Sequence, residues 1–428
     1  GLLMDFTVDS LGISGANAGK LLLAASIDDN GEDMNLYVRD IIDGRDALYA
    51  SGVMFLDDGR MDVSATADRF PLSVAAPFLE SIFSSVDGSI SGGIRLQGDT
   101  QRLSTVSQNF NLNDASLKLR MTGVNYTLNG PLRLDSNGLY LDALSVTDSD
   151  KGNGTLSGRI MHDHLKDFNL DLALDFDNMK LLDITAKESA NLYGLLRAGG
   201  KASVSGEPQN LRVDVDLRSQ GQGNVHIMAG EANAKAGTNL LTFTQKAQAK
   251  DAYEQMLDSH TEKTELPMDI SIHGSVRITP EVKAYAVLDK AEGNTASFSG
   301  DGLVSINLRP SKAVFDLNGY FNINEGNYQF SIPGILTKDL IIQQGGSIKF
   351  GGDIMDTEID VSAIYRLKTS LKTLIGSMNE ESNSTATKRQ VDCILNISDR
   401  LSNPKLGFEI SIPDLDPTTK SQVESALA

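Results

Sequence analysis

The residue types able to do chemistry are few in this chain, and they stand far apart. His162 and His164 alternate within what reads as a strand, so both imidazoles share one face. A zinc site needs a third and fourth ligand, and no Cys, His or carboxylate is tied to this pair by spacing. Asp148-Ser149-Asp150-Lys151-Gly152-Asn153 opens like a calcium loop. Its Gly and Asn are interchanged, however, and Arg159 stands at the twelfth position, where a bidentate Glu belongs. It reads as a hairpin turn. Gly15-Ala16-Asn17-Ala18-Gly19-Lys20-Leu21 is one residue short of a phosphate-binding loop and lacks the hydroxyl residue after the lysine. His226, His260 and His273 are isolated, and neither a Gly-x-Ser-x-Gly elbow nor a His-Glu-x-x-His pair is present. No catalytic constellation can be assembled, so no enzyme activity, cofactor or metal is expected.

Composition narrows the field further. The 428 residues are 40% hydrophobic, enough for an extensive buried face, and carry a net charge of -19. A nucleic-acid partner is not expected, because phosphate binding requires clustered Lys and Arg. Asp and Glu instead suit outward, solvated strand positions. Cys393 is the single cysteine, which excludes a disulfide framework within the chain; on an apolar strand face it reads as a buried hydrophobe. There is no Trp, which weakens a glycan-processing reading. No apolar run reaches membrane-spanning length; Leu21 to Ala25 is the best block. Because Leu3 to Val8 already alternates as a strand, a fragment of a longer protein is expected, with any membrane anchor outside it.

The elements that would position side chains are strands. Asn169 to Asp177, Leu211 to Leu217 and Leu406 to Ile412 each alternate apolar with acidic or polar residues. Turn chemistry recurs at Asp57-Asp58-Gly59, Ser136-Asn137-Gly138, Gly152-Asn153-Gly154, Glu325-Gly326-Asn327 and Gly351-Gly352-Asp353. Strands with short turns predict an antiparallel meander. Pro71 to Phe83 has helical spacing, with Pro71 in the first turn and Pro77 as a kink. Lys187 to Arg197 is read as a helix or a short strand pair. The expected organisation is strands over 1–69, a short helix over 70–84 and strands over 85–243. A polar inserted loop follows over 244–265, centred on Gln245 to Lys263, then strands over 266–369. A mobile loop over 370–390, terminal strands over 391–416 and a tail or helix start over 417–428 complete it.

Period two sorts the apolar residues into inward sets. The first are Leu117, Leu119 and Met121; Leu170, Leu172, Leu174 and Phe176; and Leu211, Val213, Val215 and Leu217. Then come Met268, Ile270 and Ile272; Phe315, Leu317, Phe321 and Ile323; and Tyr328, Phe330 and Ile332. The last are Ile359, Val361 and Ala363; Val391, Cys393, Leu395 and Ile397; and Leu406, Phe408, Ile410 and Ile412. Two structures use such faces. One is the interior of β-sandwiches, the commoner arrangement. The other is a curved sheet whose apolar face lines a groove. Monomers rarely expose apolar patches beyond ~300–600 Å², so a groove of this length would need an apolar occupant, and acyl chains are the obvious one. Roughly 25 strands at ~4.8 Å would span on the order of 120 Å, the scale of a bridge between two membranes.

Particular segments favour the second arrangement. Phe321-Asn322-Ile323-Asn324-Glu325-Gly326-Asn327-Tyr328-Gln329-Phe330, then Gly345-Gly346-Ser347-Ile348-Lys349-Phe350-Gly351-Gly352-Asp353 and Ile359 to Tyr365, resemble the C-terminal region of the TamB family. Asp148 to His162, Leu401 to Leu406 and Ile412-Pro413-Asp414 fit the same pattern. It is departed from in two places: Ile341 and Ile342 stand where an aromatic is common, and Phe350 where a Trp is common, both replacements being apolar. The resemblance implies an all-β fold, an elongated β-taco or repeating β-groove of antiparallel strands with a hydrophobic lumen and few short helices, as in AsmA-like bridge proteins. It adds Ile348 and Phe350 to the candidate lining. It further implies a periplasmic segment of an inner-membrane-anchored protein in a Gram-negative-type envelope. The implied partners are phospholipid acyl chains and an outer-membrane TamA-like (Omp85) barrel. The implied roles are lipid transport for outer-membrane biogenesis or, alternatively, scaffolding the insertion of outer-membrane barrel proteins.

Overall fold

The computed structural model describes residues 2–10, 12–13, 16–17, 19–99, 102–164, 166–189, 192–228, 269–289, 294–312, 314–332, 336–370 and 388–413. Among them, 22 strands join one sheet. β1 (Leu3–Val8) is followed by a separate small hairpin, β2 (Gly12–Ile13) and β3 (Ala16–Asn17). The meander then runs through β4 (Lys20–Ile27), β5 (Asp33–Ile42), β6 (Arg45–Phe55), β7 (Met61–Pro71), β8 (Phe83–Asp99), β9 (Arg102–Leu119) and β10 (Asn125–Leu134). It continues through β11 (Gly138–Asp148), β12 (Asn153–Asp163), β13 (Lys166–Ile184) and β14 (Leu192–Glu207). β1 pairs with β4, and from β4 to β14 each strand pairs antiparallel with the one before it. The second part comprises β15 (Asn210–Ser219), β16 (Gly223–Met228), β17 (Asp269–Ile278), β18 (Val282–Asp289), β19 (Asn294–Arg309) and β20 (Val314–Ile332). It ends with β21 (Leu336–Ile342), β22 (Ser347–Ser370), β23 (Lys388–Arg400) and β24 (Lys405–Ser411).

The meander has one exception. β15 lies parallel to β17 and β16 parallel to β18, in an unbroken register from Asn210↔Asp269 to Arg218↔Arg277 and from Gly223↔Val282 to Met228↔Val287. A parallel pair cannot be closed by a tight turn. Asp269 stands beside Asn210, at the far end of β15 and β16 from Met228, roughly 60 Å along the strands at ~3.3 Å per residue. The polar stretch 244–265 falls between Met228 and Asp269, and its own structure lies outside the described residues, as do 371–387 and 414–428.

Several strands exceed ordinary length: β13 and β20 have 19 residues and β22 has 24. β13 and β20 reach it by crossing bulges, whereas β22 reaches it by pairing with β20 and β21 along one part and with β23 along the other. Register shifts fall between Asp87 and Ser89 in β8, Leu128 and Gly130 in β10, Leu141 and Leu144 in β11, Phe176 and Met179 in β13, and Ser299 and Gly300 in β19. Asp114, Ala143 and Asn178 have positive φ at or beside these shifts. A bulge bends its strand and sharpens its twist. The bulges of β8 to β11 neighbour one another and those of β13 and β19 lie farther along their strands, so together they crease the sheet on a slant. Side chains packed in the crease form the core: Leu144 and Met179 are fully buried, with Ala115, Leu128, Leu141, Val146, Phe176 and Ala198 around them.

Local expectations fare unevenly. The helix expected over 70–84 is shorter, a 3-10 turn at Leu72–Ala75 and α1 (Ala76–Leu79). Pro71 is extended (φ -69, ψ 131) and ends β7, Phe83 begins β8, and Pro77 sits in the first turn of α1, where no N–H is needed, instead of kinking it. Leu192 to Arg197 is neither helix nor strand pair but the start of β14, hydrogen-bonded to β13 and β16. Glu325-Gly326-Asn327 and Gly351-Gly352-Asp353 lie inside β20 and β22, not at turns. At Gly326 a Cβ would press on Ile342 and the Ser297 carbonyl, so the glycine serves close approach of neighbouring strands.

Candidate apolar groove

Register determines which side chains share a face. One row runs Phe110–Leu132–Leu141–Gly158–Leu172–Val204–Val213–Ile272–Leu308–Phe315, crossing β9 to β20 through consecutive cross-strand partners. A second runs Leu144–Leu156–Leu174–Ala202–Val215–Gly274–Ile306–Leu317–Gly352. A third runs Ala115–Leu128–Val146–Gly154–Phe176–Gly200–Leu217–Val276–Val304–Gly319–Phe350. These rows hold no polar side chain. In the third, the glycines at 154 and 200 flank Phe176, which gives its ring room in a closely spaced sheet.

The opposite face is ionic. Arg159 meets Asp171 at 3.1 Å and Arg212 meets Asp214 at 2.7 Å. Arg95 grips Asp62 through two hydrogen bonds of 2.8 and 2.7 Å, which with Gln97 hold that carboxyl down to about 2. These exposed pairs add little stability, but they keep the outer surface wet and define the inside by contrast.

Most of the candidate lining residues are half-buried. These are Leu117, Leu119, Leu170, Leu172, Leu174, Val213, Val215, Leu217, Ile270, Ile272, Phe315, Leu317, Ile348, Phe350, Val361, Leu395 and Ile397. Met121 is also half-buried but lies in the turn after β9. Phe176, Leu211, Phe321 and Ile323 are buried; Phe321 and Ile323 join Ile342 in a second core cluster. On the last strand Phe408 is 81% exposed and Ile410 lies at the exposed border. The side chain of Phe330 lies outside the described residues. Leu211 apart, full burial follows the crease and half-burial follows the walls. A sandwich would bury both walls against a second sheet; here a single sheet folds over its own apolar face.

Sequence reasoning missed the residues that hold the crease. Leu141 and Leu144 both enter the core although three apart, as do Phe176 and Met179, because the intervening bulges reverse the alternation. It missed an ionic lock as well. The Asp148 carboxylate, fully buried, accepts the backbone N–H groups of Asp150, Gly152 and Lys180 at 2.8, 2.9 and 2.7 Å. The Lys180 ammonium reaches Asp183 at 2.9 Å and Asp150 at 3.0 Å, and Arg197 also bonds Asp150. Burial alone would lower the Lys180 pKa; its hydrogen bonds to Asp183 and Asp150 outweigh that, and it stands raised. Tyr126 donates to the Lys180 carbonyl at 2.6 Å, and its hydroxyl is pushed up by burial and by Asp148. The residues that resemble a calcium loop thus spend their leading carboxylate on the chain's own backbone.

One inward polar residue lacks such provision. Asp40 follows Val8 and Leu21 and precedes Leu48 and Ala67 in one row of the inner face. It is 3% exposed, and among the described residues neither carboxylate oxygen has a hydrogen-bond partner. Burial pushes its pKa up. A folded-state pKa above the unfolded one favours the fold at acid pH, and that contribution fades as pH rises through the folded value. Asp40→Asn should therefore raise the melting temperature at pH 7.5 by several degrees, at about 2–4 °C per kcal/mol. The gain should shrink toward pH 3.5. An equal gain at both pH values, measured by circular dichroism, would show that the charge of Asp40 is not the cause.

No helix among the described residues is long and apolar enough to cross a membrane. Comparison with curated proteins gives no match. Comparison with family models does: the TamB C-terminal domain matches residues 142–428. That span takes in β12 to β24, the parallel seam, the whole second apolar row and most of the first and third. This chain belongs to the TamB family.

Proposed function

We propose that this chain is a segment of an envelope bridge that carries phospholipid acyl chains along its apolar lumen, between inner and outer membranes, in outer-membrane biogenesis. The observation that supports this is the continuity of the apolar rows. They pass from strand to strand, including the parallel seam, without a polar interruption, and their wall side chains are half-buried. Each methylene taken out of water there would be stabilised by about 0.8 kcal/mol. The gain is nearly the same on every rung, so a chain can move between rungs over small barriers while its head group stays at the open seam. Nothing in that mechanism requires catalysis. The work is passive, and direction comes from the membranes at the two ends. Family membership supports a part in outer-membrane assembly of the translocation-and-assembly-module kind, with an outer-membrane TamA-like barrel as partner and the periplasm as location.

Leu172→Asp places a carboxylate in the middle of the first row, on a side chain that is only half-buried. It should cut lipid recovered with the purified protein at least fivefold, read by native mass spectrometry, with little change in the circular dichroism spectrum. Photo-crosslinkers at Leu317 should capture acyl chains in the wild type. Absence of lipid in both measurements would end this reading.

A second reading rests on the last strand. Among the described residues β24 is paired residue by residue with β23 alone, and Leu406 and Phe408 on it are 58% and 81% exposed. An open edge with exposed apolar side chains suits β-augmentation by an incoming barrel strand. Crosslinks from Phe408 to a nascent barrel protein, retained in Leu172→Asp, would favour scaffolding over conduction.

A further inference from the structure

The lumen is not uniform along its length. A cavity of about 360 Å³ opens in one wall, bounded by side chains from β8 through β13. Phe110 and Leu132, cross-strand partners, form its floor together with Leu139 and Ile160, partners in the adjoining row. Phe168 stands at the rim, 40% exposed, with the imidazole of His162 edge-on to it at 6.0 Å between centroids. Among the described residues, that imidazole is the only polar side chain in the lining. The cavity is open on one side, and water held against its wall would find few of the two to four polar partners it needs. It lies at the mouth of the wall, beside the turn that carries Asp163 and Lys166, and it is continuous with the first apolar row through Phe110 and Leu132.

We propose that this cavity seats the methyl end of a single alkyl chain, so that a lipid moving along the lumen rests here. The inference builds on the lipid-conduit reading and adds a preferred station to it. The chemistry sets the class of ligand: an unbranched hydrocarbon end fits a wall of aliphatic and aromatic carbon. A phosphate or sugar would find no hydrogen-bonding partner beyond His162. Part of the wall, Ile90 to Leu139, precedes residue 142 and so lies outside the matched family domain. The station is thus a property of how this chain joins the domain to the strands before it.

The absence of Trp makes the test direct. Phe168→Trp, at a partly exposed rim position, and Leu317→Trp, in the second row, each introduce a single fluorophore. The probes are phosphatidylcholine vesicles with bromines at the acyl terminus or, separately, near the carbonyl end. Terminal bromines should quench Phe168→Trp at least twofold more than carbonyl-end bromines, whereas Leu317→Trp should show no such preference. Equal quenching by the two probes in Phe168→Trp, with Leu317→Trp also quenched, would overturn the station and leave the conduit standing. Quenching in Leu317→Trp alone would do the same. No quenching in either variant would overturn station and conduit together.

Discussion

Gly274→Val should split the sheet along its parallel seam. Gly274 faces Val215 in β15 and has φ +148, a conformation L side chains rarely adopt. A Cβ built there overlaps the Val215 carbonyl oxygen, which is backbone and cannot swing aside. The row it belongs to has Val215 on one side and Ile306 on the other, so displacing β17 breaks the lumen as well as the ladder. Strain at a glycine-only conformation combined with backbone overlap belongs among the large single-residue effects, about 3 kcal/mol or more. The expected result is local: amide protection lost over 211–217 and 270–278, with β5 to β9 unaffected. Small-angle scattering should show a longer maximum dimension as the two antiparallel parts hinge on the remaining β16–β18 pairing. Unchanged hydrogen exchange across 270–278 would mean that the seam tolerates a side chain, and that its register is not what joins the two parts.

That seam also marks where the sequence stops being readable. Leu170 to Phe176 alternates cleanly because no bulge interrupts β13 between its pairings with Gly206 and Gly200. The same holds for Leu211 to Leu217, and for both segments the apolar face could be assigned from period two alone. The pattern fails where the sheet folds. Ala143 has φ 60, and nothing about an alanine announces a left-handed residue; the consequence, Leu141 and Leu144 on one side, is invisible to a period of two. Gly326 and Gly352 resemble turn residues because glycine also serves close strand approach, as at Gly326, and positive φ within a strand, as at Gly352. Parallel pairing of β15 with β17 depends on contacts across a long connection, which local residue chemistry does not encode. The facing of residues along these strands was therefore legible and the crease was not. The lining residues near the crease, Phe176, Phe321 and Ile323, accordingly prove to be core.

The crease predicts the second large effect, at Asp148. Its carboxylate serves three backbone N–H groups from two elements: Asp150 and Gly152 in the β11–β12 turn, and Lys180 immediately after the β13 bulge. It thereby fixes the turn against the bent strand beneath it, with Arg197 of β14 at 3.8 Å. Asp148→Ala leaves those donors buried without an acceptor, each costing about 1–3 kcal/mol. It also removes one carboxylate from a group in which Lys180 and Arg197 are mostly buried. Breaking a buried charge arrangement from one side costs about 3–5 kcal/mol in all, since the separate losses are not additive. Asp148→Asn should recover little, because its amide NH₂ would face donors. Asp150→Asn should cost less: Asp150 is half exposed, and Lys180 keeps Asp183. The order expected in urea midpoints is wild type, then Asp150→Asn, then Asp148→Asn, then Asp148→Ala. The largest gain in amide exchange should fall at 149–152 and 179–183. Equal midpoints for Asp148→Ala and Asp150→Asn would assign the crease to apolar packing around Leu144 and Met179, with the ionic lock a passenger. The predicted order would make the lock what holds the two walls at their angle, and so what keeps the lumen open to a chain.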